Sequence, residues 1–365
     1  MKAKQWSLVV PFCMLPAFAQ AEVEIYGRIN AGFDSVKEIA LKGQGQRING
    51  VNDNTSRIGF RGKENLGNGL AAIWQVESRI EIDGSKERAW ASRQSFIGLE
   101  TAGYGVFKLG YLDNFGKESW MDDIDPIKVK AFENNFVRVT GERVKNAVSY
   151  YSPNWYGWEL ALTYGTSELD HKQMADAELK YPDNAQHTYD VGISYQYGPY
   201  LAAYEYTKFE GQNRQKKKPD LPVNAYNHRA QLGYDGDTVF WTVAYQQGKG
   251  VSTALYEDDA FRDVLSKHLG WDYKKDNPAK YREMSVASEY KLGKKMRLKA
   301  YVTKGWDLQT DQGTISDSGY LQYAAAVRYD LSKRTNLELA AGQWSFDTDH
   351  LDKANGVGFG IFHKF

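Results

Sequence analysis

The run TYDVGISYQY, residues 188–197, changes character at every step. Tyr189, Val191, Ile193, Tyr195 and Tyr197 fall on one face, and Thr188, Asp190, Gly192, Ser194 and Gln196 on the other. A period of two is the geometry of an extended strand with one apolar and one polar side. The pattern recurs along the chain. EVEIYGRINAGF sets Val23, Ile25, Ile29 and Phe33 against Glu24, Arg28 and Asn30. TVFWTVAYQ aligns Val239, Trp241, Val243 and Tyr245, and MRLKAYVTK sets Met296, Leu298, Ala300 and Val302 against Arg297, Lys299 and Thr303. GYLQYAAAVRYDL aligns Leu321, Tyr323, Ala325, Val327, Tyr329 and Leu331.

Sixteen strands are predicted, near residues 22–34, 55–64, 69–81, 91–101, 105–111, 143–152, 157–166, 187–198, 200–209, 226–235, 238–247, 281–291, 295–305, 319–330, 335–346 and 356–365. Their connections alternate. Short ones such as ENLGNG, YDGD and KLGKK carry the Gly, Asn and Asp that tight turns need. Long ones are polar, as in 210–225 and 248–280, the latter with a short helical pattern in DDAFRDVLSKHLG. An even-numbered antiparallel meander with short turns at one end and long loops at the other implies an all-β fold, a transmembrane β-barrel with short periplasmic turns and long extracellular loops. The mean hydropathy of −0.60 does not oppose this, because lumen-facing polar residues cancel lipid-facing apolar ones. The 25 Tyr and 10 Trp suit strands and membrane–water boundaries. A secreted soluble β-protein would alternate in the same way. At this length it would gather its apolar faces into a common core and divide into two or more domains, and no linker or composition break marks such a division.

Residues 1–21 form a separate region. Lys2 and Lys4 precede an apolar stretch that ends in Ala19-Gln20-Ala21, the pattern of a secretory signal peptide with its cleavage site. The barrel domain is then 22–365. The only cysteine, Cys13, leaves with the signal, so disulfides and thiolate chemistry are excluded. The remaining 44 basic and 46 acidic residues give no bulk field for nucleic-acid binding.

Five internal stretches and the chain end resemble the general porins of Gram-negative outer membranes, nearest the beta-proteobacterial and neisserial type. They are EIYGRI, SRIGFRGKENLGNGLAAIWQVE (56–77), ASRQSFIGLE (91–100), FKLGYLDNFGKES (107–119), NAVSYYSP (146–153) and the terminal HKF. The 56–77 block is the most specific. The resemblance implies a homotrimer of sixteen-stranded barrels in outer-membrane lipid and lipopolysaccharide, passing ions and small hydrophilic solutes, with no cofactor. It also implies a third loop folded into the lumen, its acidic groups facing basic groups on the wall. Phe365, a terminal aromatic on an alternating strand, is similar to the signal read by the barrel assembly machinery. Tyr111 departs from the family, where many relatives carry an arginine, so one basic group is missing or moved.

The third long connection runs from Leu112 to Glu142 and contains KESWMDDIDP, with Glu118, Asp122, Asp123 and Asp125 as the candidate acidic half of a constriction. Trp120 is the expected anchor to the wall. For the basic half, strand parity points Arg28, Arg57, Arg61, Arg79, Arg143 and Lys145 inward, and the resemblance adds Arg93. Charged rings at a narrowing set ion preference. The slight excess of inward basic groups gives an expectation of weak anion preference. Substrate-specific channels remain an alternative, although the clear strands turn most aromatics toward lipid rather than into a sugar slide. An outer-membrane enzyme is a more remote one. The six histidines are scattered, no HExxH or GxSxG occurs, and the aspartates lack the Gly and twelfth-position Glu of a calcium loop, so no catalytic or metal site is expected.

Overall fold

A computed structural model describes residues 22–85, 89–138, 143–166, 187–210, 225–250, 255, 258–271 and 278–365. The predicted signal peptide lies outside them, as do most of the 210–225 loop and parts of 248–280.

The described residues hold β1 (Glu22–Lys37), β2 (Arg47–Asp53), β3 (Arg57–Gly67), β4 (Leu70–Arg79), β5 (Ser95–Thr101), β6 (Gly105–Asp113) and β7 (Arg143–Tyr151). Next come β8 (Trp158–Gly165), β9 (His187–Tyr197), β10 (Tyr200–Glu210), β11 (Ala225–Asp235), β12 (Val239–Lys249) and β13 (Lys280–Leu292). The last six are β14 (Met296–Gly305), β15 (Leu308–Thr310), β16 (Gly313–Ile315), β17 (Tyr320–Asp330), β18 (Thr335–Phe346) and β19 (Ala354–Lys364). All pairings are antiparallel. β1 pairs with β19 from Arg28↔Lys364 to Val36↔Gly356, and its lower half with β3, so the sheet closes. Closure pairs every backbone polar group within the ring, which a hydrocarbon surround requires. Gly27 and Phe365 exchange N–H···O bonds of 3.2 and 3.1 Å at the seam.

Sixteen strands make the wall, as the periodicity predicts. Three further strands, β2, β15 and β16, rise at the extracellular end. β2 pairs with the upper half of β1, so much of the expected 35–54 loop is a continuing hairpin. The break between β2 and β3 falls at Thr55, whose φ of 64° turns the chain inward. The strand expected from 91 begins only at Ser95, because Ala91 sits at φ 54° and the Arg93 side chain turns inward to Glu77.

The two faces divide as their parity demands. Ile29, Phe33, Ile97, Val286, Leu339 and Phe359 are exposed on the outside, where lipid rather than water meets them. Thr207, Gln231, Thr242, Ser285 and Gln322 are buried inside, beneath the third loop. The extracellular mouth carries a separate apolar cap. There the helix Asp259–Lys267, within the predicted helical run, buries Phe261, Val264 and Leu265 against Tyr281, Leu308 and Tyr320.

Candidate pore constriction

The third loop starts with a helical turn, Phe115–Glu118, capped by the Asn114 side chain, which accepts from Lys117 N at 3.1 Å. Wall carboxylates then take the exposed backbone donors. Phe115 N donates to Asp190 Oδ1 at 2.9 Å and Gly116 N to Glu205 Oε1 at 2.6 Å. Gly192 makes room for this root, since a Cβ there would stand 1.9 Å from the Phe115 ring.

Ser119 caps a second turn, Trp120–Ile124, and the buried Arg229 of β11 donates to Met121 O. Trp120 lies against Gly233, 3.0 Å from where a Cβ would be, so it packs on the inner wall. Farther on, Lys299 Nζ donates to Pro126 O and Glu338, each at 2.8 Å. Glu338 in turn accepts Lys128 N at 2.5 Å and Val129 N at 3.3 Å. Tyr301 OH, Gln246 Nε2 and Asn54 Oδ1 bind Phe132 O, Phe136 O and Lys130 N.

The apolar side of the same segment, Ile124, Ile127, Val129, Phe132 and Phe136, packs on a wall kept low by Ala244, Ala287, Ala324, Ala326 and Ala340. Burying each large side chain is worth about 1.5–3 kcal/mol. The loop is thereby laid along the inner face from β9 to β18.

The wall from β4 through β3 and β1 to the end of β19 is basic. Arg79, Arg57, Arg28 and Lys364 are successive register partners across β4, β3, β1 and β19, so all four share one face and one row of the sheet. Directly opposed like charges destabilise a sheet unless something separates or neutralises them. Glu77 serves Arg93 and, at 3.5 Å, Arg57, and accepts Tyr26 OH at 3.1 Å. Arg79 pairs with Glu81 at 3.0 Å and Asp53 at 3.6 Å. Arg28 donates to Thr55 O at 3.0 Å and to its hydroxyl, and lies within electrostatic reach of Asp122.

The expected site residues divide into groups. Arg28, Arg57, Arg79 and Arg93 come together. Arg61 sits four residues from Arg57, about 13 Å toward the periplasmic turn, and is held by Glu24 at 2.7 Å. Arg143 pairs with Asp113 at 2.7 Å where the loop begins. There the register slips from Gly110↔Ala147 to Leu112↔Val144, with Asn146 at φ 48°. This bulge seats Val144 with Ala147 and Leu112, so the alternation that placed Val144 with Val148 fails. Lys145 is exposed and makes no ion pair among the described residues.

On the acidic side, Glu118 binds Lys108 of β6 and Gln94, and Asp122 binds Lys117 at 2.9 Å. Asp123 is exposed. Asp125 accepts Asn134 N at 3.2 Å, and burial pushes its carboxyl up to about 6. Phe365 lies at the seam, with its ring over Gly27. Sequence reasoning named neither Lys364 nor Lys108 as a site residue, nor the Lys299–Glu338 pair. Lys364 was readable by parity, since it alternates with the outward Ile361 and His363. Lys299 was read as polar-face only. No group of three or more metal-ligating side chains occurs among the described residues.

Comparison with known proteins places this geometry. A family model described as Gram-negative porin matches residues 8–349. The chain is 28% identical over 371 residues to a major outer membrane protein P.IB of Neisseria meningitidis serogroup A, covering 99% of this chain and all of that one. It is also 28% identical to the P.IB protein of Neisseria sicca, at the same coverage. The fold matches the anion-selective porin from Comamonas acidovorans with a TM-score of 0.68 at 18% identity, over 95% of this chain and all of that one. The chain belongs to the Gram-negative porin family, and it is a passive diffusion channel of the outer membrane rather than an enzyme.

Proposed function

We propose that the channel is narrowed by a charged constriction, with the third loop carrying the acidic side and the β19–β1–β3–β4 wall the basic side, and that it prefers anions weakly. The observation that carries this reading is the four-cation register row across β4, β3, β1 and the end of β19. Charge counting supports the sign. The wall offers five cations, Arg28, Arg57, Arg79, Arg93 and Lys364, against three carboxylates, Asp53, Glu77 and Glu81. The loop's Glu118, Asp122, Asp123, Asp125 and Glu133 face Lys108, Lys117, Lys128 and Lys130, a deficit of one against the wall's surplus of two. The relative from Comamonas acidovorans is described as anion-selective, which agrees.

In this reading three copies associate, Phe365 serves the barrel assembly machinery, and lipid, lipopolysaccharide included, surrounds the trimer. One solved porin of Vibrio cholerae is described in a trimer form. The test is a planar bilayer with a tenfold salt gradient. A reversal potential on the anion side, with conductance linear in salt, supports the reading, and a cation-side potential or saturable block by one sugar refutes it.

A further inference from the structure

A second segment besides the third loop folds into the barrel. The 250–279 connection is closed at its base, where Gly250 N donates to Ala279 O at 3.2 Å. Its helix Asp259–Lys267 starts on Asp258, whose side chain accepts Phe261 N at 3.0 Å. It ends where Gly270, at φ 77°, turns the chain back so that Trp271 N donates to Leu265 O at 2.8 Å. Phe261, Val264 and Leu265, spaced i, i+3 and i+4, form one apolar stripe and have no solvent exposure.

The stripe is seated inside the mouth. Its partners Tyr281, Tyr320, Trp344 and Phe346 share parity with Ser285, Gln322 and Glu338, which lie under the third loop. Phe261 and Phe346 have ring centroids 6.0 Å apart. Below them, Leu255 N donates to Asn135 Oδ1 at 3.3 Å, and Asn135 Nδ2 donates to Tyr320 OH at 2.8 Å. The connection therefore rests on the third loop itself.

The seat is wide. It takes in Phe209 and Ala225 at the ends of β10 and β11, passes Leu308 and Ile315 of β15 and β16, and reaches Leu351, Ile39 and Leu41 beyond β18 and β1. Around the sixteen-stranded wall, β10 and β1 stand eight steps apart, which is half the ring. Leu41 bridges Leu351, and Lys42 N donates to His350 O at 2.9 Å. The His350 ring stacks on His268 at the end of the helix, with centroids 4.1 Å apart. A nine-residue helix does not persist alone in water, so its place depends on this seat. Close-packed apolar side chains leave no room for a hydrated solute.

We propose that this helix and its seat form an outer sieve, in series with the constriction, that turns away bulky hydrophilic solutes such as oligosaccharides and peptides before they reach the third loop. Entry is confined to the side of the mouth that the seat does not cover, and Asp259 and Lys267, exposed on the other side of the helix, line it. The assignment rests on the third loop narrowing the lumen and adds a separate barrier above it.

The test is polymer exclusion, one side at a time, on single channels of the full chain in a planar bilayer. Polyethylene glycols too large to cross the constriction are added to one chamber, and a polymer that enters a vestibule lowers the unit conductance. Tyr156→Cys, in a fully exposed periplasmic turn, reports orientation by reaction with an impermeant thiol reagent, because the only cysteine, Cys13, lies in the predicted signal. From the periplasmic side the polymers should lower the conductance of the unmodified chain, and from the extracellular side they should leave it unchanged. Val264→Asp with Leu265→Asp puts two carboxylates into the seat and should make the extracellular side responsive as well. Phe261→Ala with Leu265→Ala, which empties the seat without adding charge, should act in the same direction, and Asp263→Asn on the polar side should change nothing. Equal loss of conductance from both sides of the unmodified chain overturns the proposal, as does an extracellular side that stays unresponsive in both seat variants. The first of these outcomes needs no variant, so a barrel that fails to assemble does not shield the proposal. Gly192→Val, which displaces the root of the third loop, should raise the size limit and keep the asymmetry. An asymmetry that persists while Gly192→Val leaves the size limit unchanged counts against the constriction and not against the sieve.

Discussion

A single charge in a watery narrowing acts over a short range. At about 8 Å from a passing ion it is worth about 0.5 kcal/mol, roughly a factor of two in permeability. Arg28→Gln with Arg57→Gln removes two members of the register row, and each one favours an anion as much as it opposes a cation, so the anion-to-cation permeability ratio should fall roughly sixteenfold, read from the reversal potential. Arg61→Gln should change it little, because Glu24 neutralises Arg61 and the spacing of about 13 Å exceeds the screening length of about 8 Å at physiological salt. Asp122→Asn with Asp123→Asn should move the ratio the other way. Parity alone listed Arg57 and Arg61 as equals, since both alternate with Ile58 and Phe60. Their different partners on β1, Arg28 beside Arg57 and Glu24 beside Arg61, are a property of register, which a single strand does not encode.

Asp125 adds a pH dependence. Burial raises its carboxyl to about 6, from an ordinary value near 4, so the folded chain holds this proton more tightly than the unfolded one. The sign follows from linkage. The proton stabilises the seated loop below pH ~4, and that contribution is lost as pH rises through about 6. Acidifying from pH 7 to 5 should remove one negative charge from the loop and strengthen anion preference. The measured quantity is the part of the shift that Asp125→Asn eliminates. An identical pH response in that variant would remove Asp125 from the account.

The loop as an element is held by the wall more than by itself. Its own turns are one to two windings long, too short to persist alone. Its backbone donors end on Asp190, Glu205, Glu338 and Asn54, and its apolar side on alanines. Replacing Glu338 by Ala strands the Lys299 ammonium and two loop N–H groups together, a loss of about 3–5 kcal/mol where the pair is fully enclosed. The loop should then detach locally, giving a flickering and larger single-channel conductance. Gly192→Val should displace the root through the Phe115 ring, and liposome swelling should show larger sugars entering. Unchanged conductance and size limit in both variants would show that the loop does not set the bore.

The period-two signal identified the loop, because it is the third long gap between strands, and the carboxylates were visible within it. Its seat was not legible. Asp190, Glu205 and Glu338 read only as polar-face residues, and nothing local distinguishes a wall carboxylate facing water from one receiving a distant backbone donor.

At the scale of the whole molecule, the outside of the barrel has two halves. From β18 through β19 and β1 to β5 the exposed residues are mainly aliphatic, with Phe33 and Phe359 among them: Leu339, Val357, Ile361, Ile29 and Ile97. From β8 to β13 the outward aromatics Trp158, Tyr195, Tyr204, Trp241, Tyr245 and Tyr290 are concentrated. Aromatic belts anchor a surface that faces the lipid boundary, whereas a surface covered by another copy needs packing rather than anchoring. In the proposed trimer, this asymmetry makes the aliphatic half the expected contact between copies. A charge on a lipid-facing position costs about 2–4 kcal/mol at the bilayer midplane and therefore tests membrane exposure and subunit contact together. The paired comparison separates them. Ile97→Arg should convert three-level conductance steps into single ones by splitting the trimer, while Val243→Arg, on the aromatic half, should carry a similar insertion cost and leave the triple steps intact. If both variants keep triple steps, the contact lies elsewhere on the wall. If both lose them, the charge destabilises the barrel itself, and the asymmetry of its faces says nothing about how copies meet.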